Sequence, residues 1–192
     1  ESKAMKLYLV RHTRLSIDHG ICYGQADVDV APSFHDELRS IKAKLAEIEF
    51  DALYCSPLQR CQKLAEAIAP GRAIADDRLK ELHFGDWELQ RWDDIPRDLF
   101  DHWADDYASL SPPNGETFTE LHARARQFVD EIKTIHDGRN ILAVAHGGWI
   151  RALLADVLNM PLKGLFRFEV DYGSVTQLSF DGEIPRIGFV NR

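Results

Sequence analysis

The stretch Leu7-Tyr8-Leu9-Val10-Arg11-His12 decides the fold. Four apolar residues end abruptly at a cation and an imidazole, so the run reads as a short strand buried on both faces. The pattern returns at Ile141-Leu142-Ala143-Val144-Ala145, which runs into His146-Gly147-Gly148, and in shorter form at residues 51–55 before Ser56-Pro57. Each is a buried strand followed by a helix start. If the first and last runs are neighbouring parallel strands, Arg11, His12 and His146 emerge together at the carboxyl edge of one sheet. Open α/β folds bind their ligands there.

Amphipathic stretches separate the strands. Ser33 to Glu49 carries Leu38, Ile41, Leu45 and Ile48 at helical spacing, and Leu58 to Ala69 carries Leu64, Ala65 and Ile68. Phe118 to Ile135 has Leu121, Ala125, Phe128, Val129 and Ile132 in phase, with His136 capping its end and Gly138 as a stop. Strand and helix alternate, which predicts an α/β fold: a three-layer open, mostly parallel sheet with helices on both faces. Arg91 to Gly115 differs in character, mixing Trp92, Phe100, Trp103 and Tyr107 with aspartates. It reads as a small helical cap insertion over about 90–116, closed by the turn-rich Ser111-Pro112-Pro113-Asn114-Gly115. Arg167–Asp171 and Ser174–Phe180, around Tyr172-Gly173, are expected to finish the sheet as a hairpin. The reading is one domain over 6–192, with 1–5 a cloning remnant and a native start at Met5.

Composition narrows the function. The 192 residues are 45% hydrophobic and 28% charged, an ordinary globular balance with enough apolar material for one sizeable core. A formal net charge of -8 supplies no broad basic footprint, so neither nucleic acid nor a membrane is an expected partner. Cys22, Cys55 and Cys61 are odd in number, lack CxxC spacing and accompany no evident secretory signal or membrane span. The expected setting is cytoplasmic.

The chemistry starts at Arg11-His12. A neutral imidazole beside a guanidinium is a competent nucleophile for phosphorus, because the cation disfavours protonated histidine while attracting an anionic substrate. Ser56-Pro57-Leu58-Gln59-Arg60 opens a helix after a strand and places Arg60 near the same edge, with a fork suited to bidentate phosphate contact. Glu81-Leu82-His83-Phe84-Gly85-Asp86-Trp87-Glu88 lies outside any clear helix or strand and mixes carboxylates with aromatics. A protonated carboxyl group there could give a proton to a leaving alkoxide, and His83 is a candidate for the border of the site. At His146-Gly147-Gly148, an imidazolium, the helix dipole and backbone N–H groups would together hold a dianion.

These motifs, in this order from Leu7 to about Tyr172, resemble the histidine phosphatase superfamily, the phosphoglycerate mutase-like family. The resemblance implies that His12 is transiently phosphorylated, that Glu81 is the general acid and then the base for water, and that Arg11, Arg60 and His146 bind the phosphoryl oxygens. Thr13, Tyr23, Gly24 and Gly147 are expected on the substrate side of the same pocket. It implies no cofactor and no metal. The sequence departs from the family at Thr13, where glycine is usual, at Asp18, where a phosphate-binding asparagine is common, and at Lys63-Leu64 and Leu89, the last again in place of glycine. Asp18 is expected to turn away, since its charge would repel phosphate. Within the superfamily, Gly20-Ile21-Cys22-Tyr23-Gly24-Gln25-Ala26-Asp27-Val28-Asp29-Val30 is similar to α-ribazole phosphatases of cobalamin synthesis. Tyr23, Trp92 and Trp103 could then stack on a benzimidazole-like base or simply join cap to sheet.

The expected partner is a small phosphomonoester, with a homodimer left open. Three other readings compete. A zinc hydrolase built on His12, His146 and Glu81 is disfavoured by two arginines beside a dication and by the absence of ligand spacing. A non-catalytic phosphate-binding module is disfavoured by the intact set of reactive residues. A broad-specificity phosphomonoesterase or a phosphoglycerate mutase-like enzyme would use the same centre.

Overall fold

The computed structural model describes residues 4–182 and 184–192. Six strands form one sheet in the order β3-β2-β4-β1-β5-β6. These are β1 (Met5–Arg11), β2 (Ala52–Cys55), β3 (Ala73–Ala75), β4 (Asn140–Ala145), β5 (Val175–Asp181) and β6 (Ile184–Phe189). The first four run parallel; β5 lies antiparallel to β1, and β6 antiparallel to β5.

Side-chain alternation along the two central strands builds both halves of the core. Leu7 and Leu9 of β1, with Ile141, Ala143 and Ala145 of β4, join Phe128, Trp149 and Leu153 on one face. Tyr8 and Val10, with Leu142 and Val144, join Ile41, Leu53 and Leu64 on the other. A strand needed on both faces cannot alternate with polar residues, and so β1 and β4 are continuous apolar runs. Helices α1 (Phe34–Leu45) and α2 (Gln59–Ile68) cover one face; α4 (Phe118–Ile135) and α5 (Gly147–Val157) cover the other. The three layers match the expected architecture.

Residues 85–117 hold short 3-10 turns and α3 (Arg97–Asp105). Trp87, Phe100 and Trp103 pack on one another in edge-on and tilted pairs, and Trp103 meets Phe84 edge-on. Gly85, at φ +56°, closes this segment onto the next turn, because a Cβ there would stand 2.1 Å from Pro113 O. Thr117 and Glu120 then start α4 with a reciprocal capping box. Leu89 adopts φ +66°, at the position where the resemblance has glycine. That left-handed backbone costs roughly 1–2 kcal/mol for a side-chain-bearing residue.

The expected hairpin is corrected. Residues Leu162–Arg167 form a 3-10 helix, Tyr172-Gly173 is a turn ahead of β5, and the hairpin is β5 with β6. Asp181-Gly182 carries the stronger hairpin signal, since Gly182 reaches φ +68°. Pro185 and the alternately exposed residues of β6 fit an edge strand, which a search for apolar runs passes over.

Candidate active site

β1 and β4 are paired so that Arg11 stands opposite Ala145, and His12 and His146 therefore leave adjacent strand ends together. His12 N–H donates to Ala145 O at 3.3 Å, and its Nδ1 lies 2.8 Å from Thr13 O. A carbonyl only accepts, so Nδ1 carries the proton and Nε2 keeps its lone pair, as a nucleophilic imidazole requires. Burial, helped by the Arg60 and Arg11 cations, holds the His12 pKa well below 6.5 and keeps the ring neutral.

Arg60 enters from the first turn of α2 and is wholly buried. Its Nη1 donates to Ala26 O at 2.7 Å and its Nη2 to Gly24 O. Glu88 accepts the N–H groups of the same two residues at 2.7 and 3.0 Å. A cation and a carboxylate thus clamp the Gly24–Ala26 loop from opposite sides. Each outer nitrogen of the fork gives one N–H to a carbonyl and keeps a second, and Nε is buried without a partner. Gly24, expected on the substrate side, is held by the same clamp. Both of its backbone polar groups are engaged, and a Cβ there would stand 2.0 Å from Leu82 O.

Arg11 donates to Val170 O at 2.7 Å and stacks on the Tyr172 ring at 4.1 Å, while its Nε is also buried and unpartnered. The Tyr172 hydroxyl meets that of Tyr23 at 2.7 Å, and Tyr23 lies 5.3 Å from the Arg60 guanidinium carbon. Two guanidiniums served only by carbonyls and aromatic faces favour an incoming anion, since an unpaired cation removed from water is costly.

His146 caps α5, its ring centroid 5.2 Å from that of His12. Burial first, then Arg60 and His12, hold its pKa well below 6.5, which favours the neutral ring over the expected imidazolium. Its Nε2 lies 2.8 Å from Ser56 Oγ and its Nδ1 is buried without a partner. At the same helix start, Gly148 N–H donates to Glu81 Oε2 at 2.9 Å, and Leu82 N–H donates to Oε1 at 3.0 Å. One of the N–H groups expected to meet phosphate thus holds the carboxylate. Arg124, paired with Glu116, donates to the carbonyls of Arg78, Lys80 and Glu81 and fixes the backbone under it.

Arg11, His12, Tyr23, Glu81 and Gly147 border one cavity of about 190 Å³, whose other walls include Phe84, Trp92, Phe118 and Phe166. Arg60 and His146 are wholly buried beside His12. Thr13 is fully buried with an unpartnered hydroxyl, and Asp18 is exposed and lines a neighbouring cavity with Arg14, His19, Tyr23 and Tyr172, not the one that holds His12. His83 is exposed and accepts the Gly85 N–H, so it does not border the cavity; Trp103 is buried in the core. Four participants had no role in the sequence reading: Ser56, Arg124, Arg151 and Tyr172. Arg151 lines the cavity and stands four residues after Gly147, a helical spacing that could have placed it.

Comparison with known proteins decides the family. The profile of the histidine phosphatase superfamily (branch 1) matches residues 7–192. The chain belongs to that superfamily. Among relatives of this histidine phosphatase, the adenosylcobalamin/alpha-ribazole phosphatase of Escherichia coli K12 is 27% identical over 97% of this chain and 96% of its own. The alpha-ribazole phosphatase of Shigella flexneri superposes with a TM-score of 0.88 at 26% identity, covering 98% of this chain and 96% of that one. A mycobacterial glucosyl-3-phosphoglycerate phosphatase gives 0.87 at 26% identity, covering 98% and 99%. Among the described residues no helix is long and apolar enough to cross a membrane.

The two neutral histidines give this histidine phosphatase a defined response to acid. Below 6.5 an unfolded histidine takes up protons that the folded His12 and His146 refuse, so the unfolded state binds more protons and stability rises with pH. Denaturation midpoints are expected to fall as pH drops below 6.5, by up to about 1.4 kcal/mol per pH unit for each histidine until its folded pKa is reached. Over the same interval kcat/KM should show no histidine limb near 6.5. An activity limb at that pH, with constant stability, would mean that His12 titrates as a solvated imidazole.

Proposed function

We propose that this phosphatase hydrolyses phosphomonoesters in two metal-free steps through phospho-His12, with α-ribazole 5′-phosphate as its substrate. The observation that carries the reading is the His12 ring: Nδ1 bound to Thr13 O, Nε2 free, and Arg11, Arg60 and His146 around it. Nε2 attacks phosphorus, the bond to the leaving oxygen breaks, and Glu81 as carboxylic acid gives that oxygen its proton. Water then attacks phospho-His12 and leaves its proton on Glu81; inorganic phosphate departs and both residues return to their starting forms. Arg11, Arg60 and His146 hold the phosphoryl oxygens, and their donors act most strongly as charge moves onto them.

Support for the leaving group comes from the named relatives and from the aromatic wall of Phe84, Trp92, Phe118 and Phe166, which suits a planar base. A cavity of about 190 Å³ is smaller than the roughly 300–1,000 Å³ of typical ligand pockets. A nucleoside therefore extends past Tyr23, with the cap over about 90–116 yielding or covering it. Three free, buried thiols fit a reducing, cytoplasmic setting.

The test is a kcat/KM panel of α-ribazole 5′-phosphate, phosphoserine, 3-phosphoglycerate and a sugar phosphate, with intact-mass detection of a phosphoryl adduct after alkaline quench. We expect α-ribazole 5′-phosphate to lead by at least about tenfold and the adduct to map to His12. A flat panel would identify a broad phosphomonoesterase, phosphate returned to product would identify a mutase, and no adduct with no turnover would identify a binding module.

A further inference from the structure

Ser56 follows β2 directly, and its N–H donates to Val144 O at 3.0 Å, which continues the β2–β4 pairing by one residue. That register sets its hydroxyl beside the first residue after β4. Ser56 Oγ stands 2.8 Å from His146 Nε2, and both residues are fully buried. The same Oγ accepts the Leu58 N–H at 3.3 Å. Its single hydrogen is then available to the imidazole. Cys61 Sγ, the other neighbour of Nε2, lies 3.5 Å from it and 3.5 Å from Ala145 O. Burial pushes the Cys61 thiol pKa upward, so it stays an S–H donor. Nε2 thus faces one strong donor, the Ser56 hydroxyl, and a thiol whose hydrogen goes to Ala145 O.

We propose that Ser56 is a positioning residue that fixes His146 as the Nδ1–H tautomer and so aims a neutral donor at the phosphoryl group. Two ends of one ring agree on this. If Nε2 carried the hydrogen, the Ser56 oxygen would accept two N–H groups and its own hydrogen would be left with the Cys61 sulfur, a weak acceptor. Nδ1, which has no protein partner, would then present a lone pair to the phosphoryl oxygens, which only accept. With the hydrogen on Nδ1 every group is satisfied once phosphate arrives. A ring nitrogen's partner sets which nitrogen is protonated, and a hydroxyl can do this without the charge of a carboxylate.

The inference rests on the phosphohistidine reading for its catalytic meaning, but its direct readout needs no turnover. Long-range ¹H–¹⁵N correlation spectra of the full chain, free and with inorganic phosphate, should show His146 protonated at Nδ1. In Ser56→Ala the Nε2–H form is expected to appear, phosphate binding to weaken, and kcat/KM to fall on the order of 10- to 100-fold, as for other partners that orient a histidine. Ser56→Thr should restore the wild-type tautomer, and Cys61→Ala should leave it unchanged. A wild-type His146 protonated at Nε2 would overturn the proposal whatever the variants do. So would a tautomer that persists in Ser56→Ala, or one that follows Cys61 instead. Failure of phospho-His12 to form would instead remove the phosphohistidine reading while leaving the tautomer assignment intact.

Discussion

His12→Ala should reduce phosphomonoester turnover by roughly 10⁴–10⁶-fold, the range seen when a covalent nucleophile is removed and the rest of a site is left in place. The loss is expected in kcat, while inorganic phosphate still binds, because the unpartnered Nε donors of Arg11 and Arg60 and the His146 Nδ1 remain. His12 makes few contacts that the fold depends on: its side-chain hydrogen bond is to the carbonyl of the next residue. Removing a ring that is costly to protonate should also lessen the acid-induced loss of stability that starts at 6.5. The variant therefore separates two roles. Steady-state rates and the absence of a mass adduct report the nucleophile; the pH dependence of the denaturation midpoint reports the buried imidazole. Retention of more than about a hundredth of wild-type activity would mean that water, not His12, attacks phosphorus.

What could be read from the chain follows a physical division. Arg11, His12 and His146 were legible because buried parallel strands must be apolar on both faces, which makes the polar residues at their ends conspicuous. Arg60 and Glu81 were legible as types, but not in detail. The partners of Arg60 are carbonyls of a loop over 30 residues earlier in the chain, and nothing in its helix announces them. The packing around Gly24 is hidden for the same reason: its neighbours, Leu82 O, Phe84 and Glu88, arrive through tertiary structure. The lowered pKa of His146 is not legible because desolvation is a property of the packed site, and His12 with the cations Arg60, Arg11 and Arg124 adds to it. Arg124, a single arginine on an amphipathic helix, has no local signal for its grip on the Glu81 backbone. The final hairpin was missed because β6 lies at an edge and exposes every second residue, while Ile184 is an exposed apolar side chain.

For Glu81→Gln the expected result depends on the leaving group, and that dependence is the content of the prediction. An alkoxide such as the ribose 5′-oxygen departs poorly unless a proton reaches it as the P–O bond breaks, so loss of the acid should cost roughly 10²–10⁴-fold with an alkyl phosphate. p-Nitrophenolate departs without protonation, and phosphorylation of His12 from that ester should be far less affected. Glu81 is also well placed for the second step: its carboxylate is held by Gly148 N–H and Leu82 N–H, and its backbone by Arg124. If it takes the proton from water, the Gln variant should release p-nitrophenol in a burst and then stall as phospho-His12. Glutamine keeps one oxygen for one of the two N–H groups and turns an NH2 donor toward the other, so a stability loss of roughly 1–3 kcal/mol is expected beside the kinetic effect. Equal losses with alkyl and p-nitrophenyl esters, and no burst, would assign Glu81 to substrate placement and move the proton transfer to another group at the cavity.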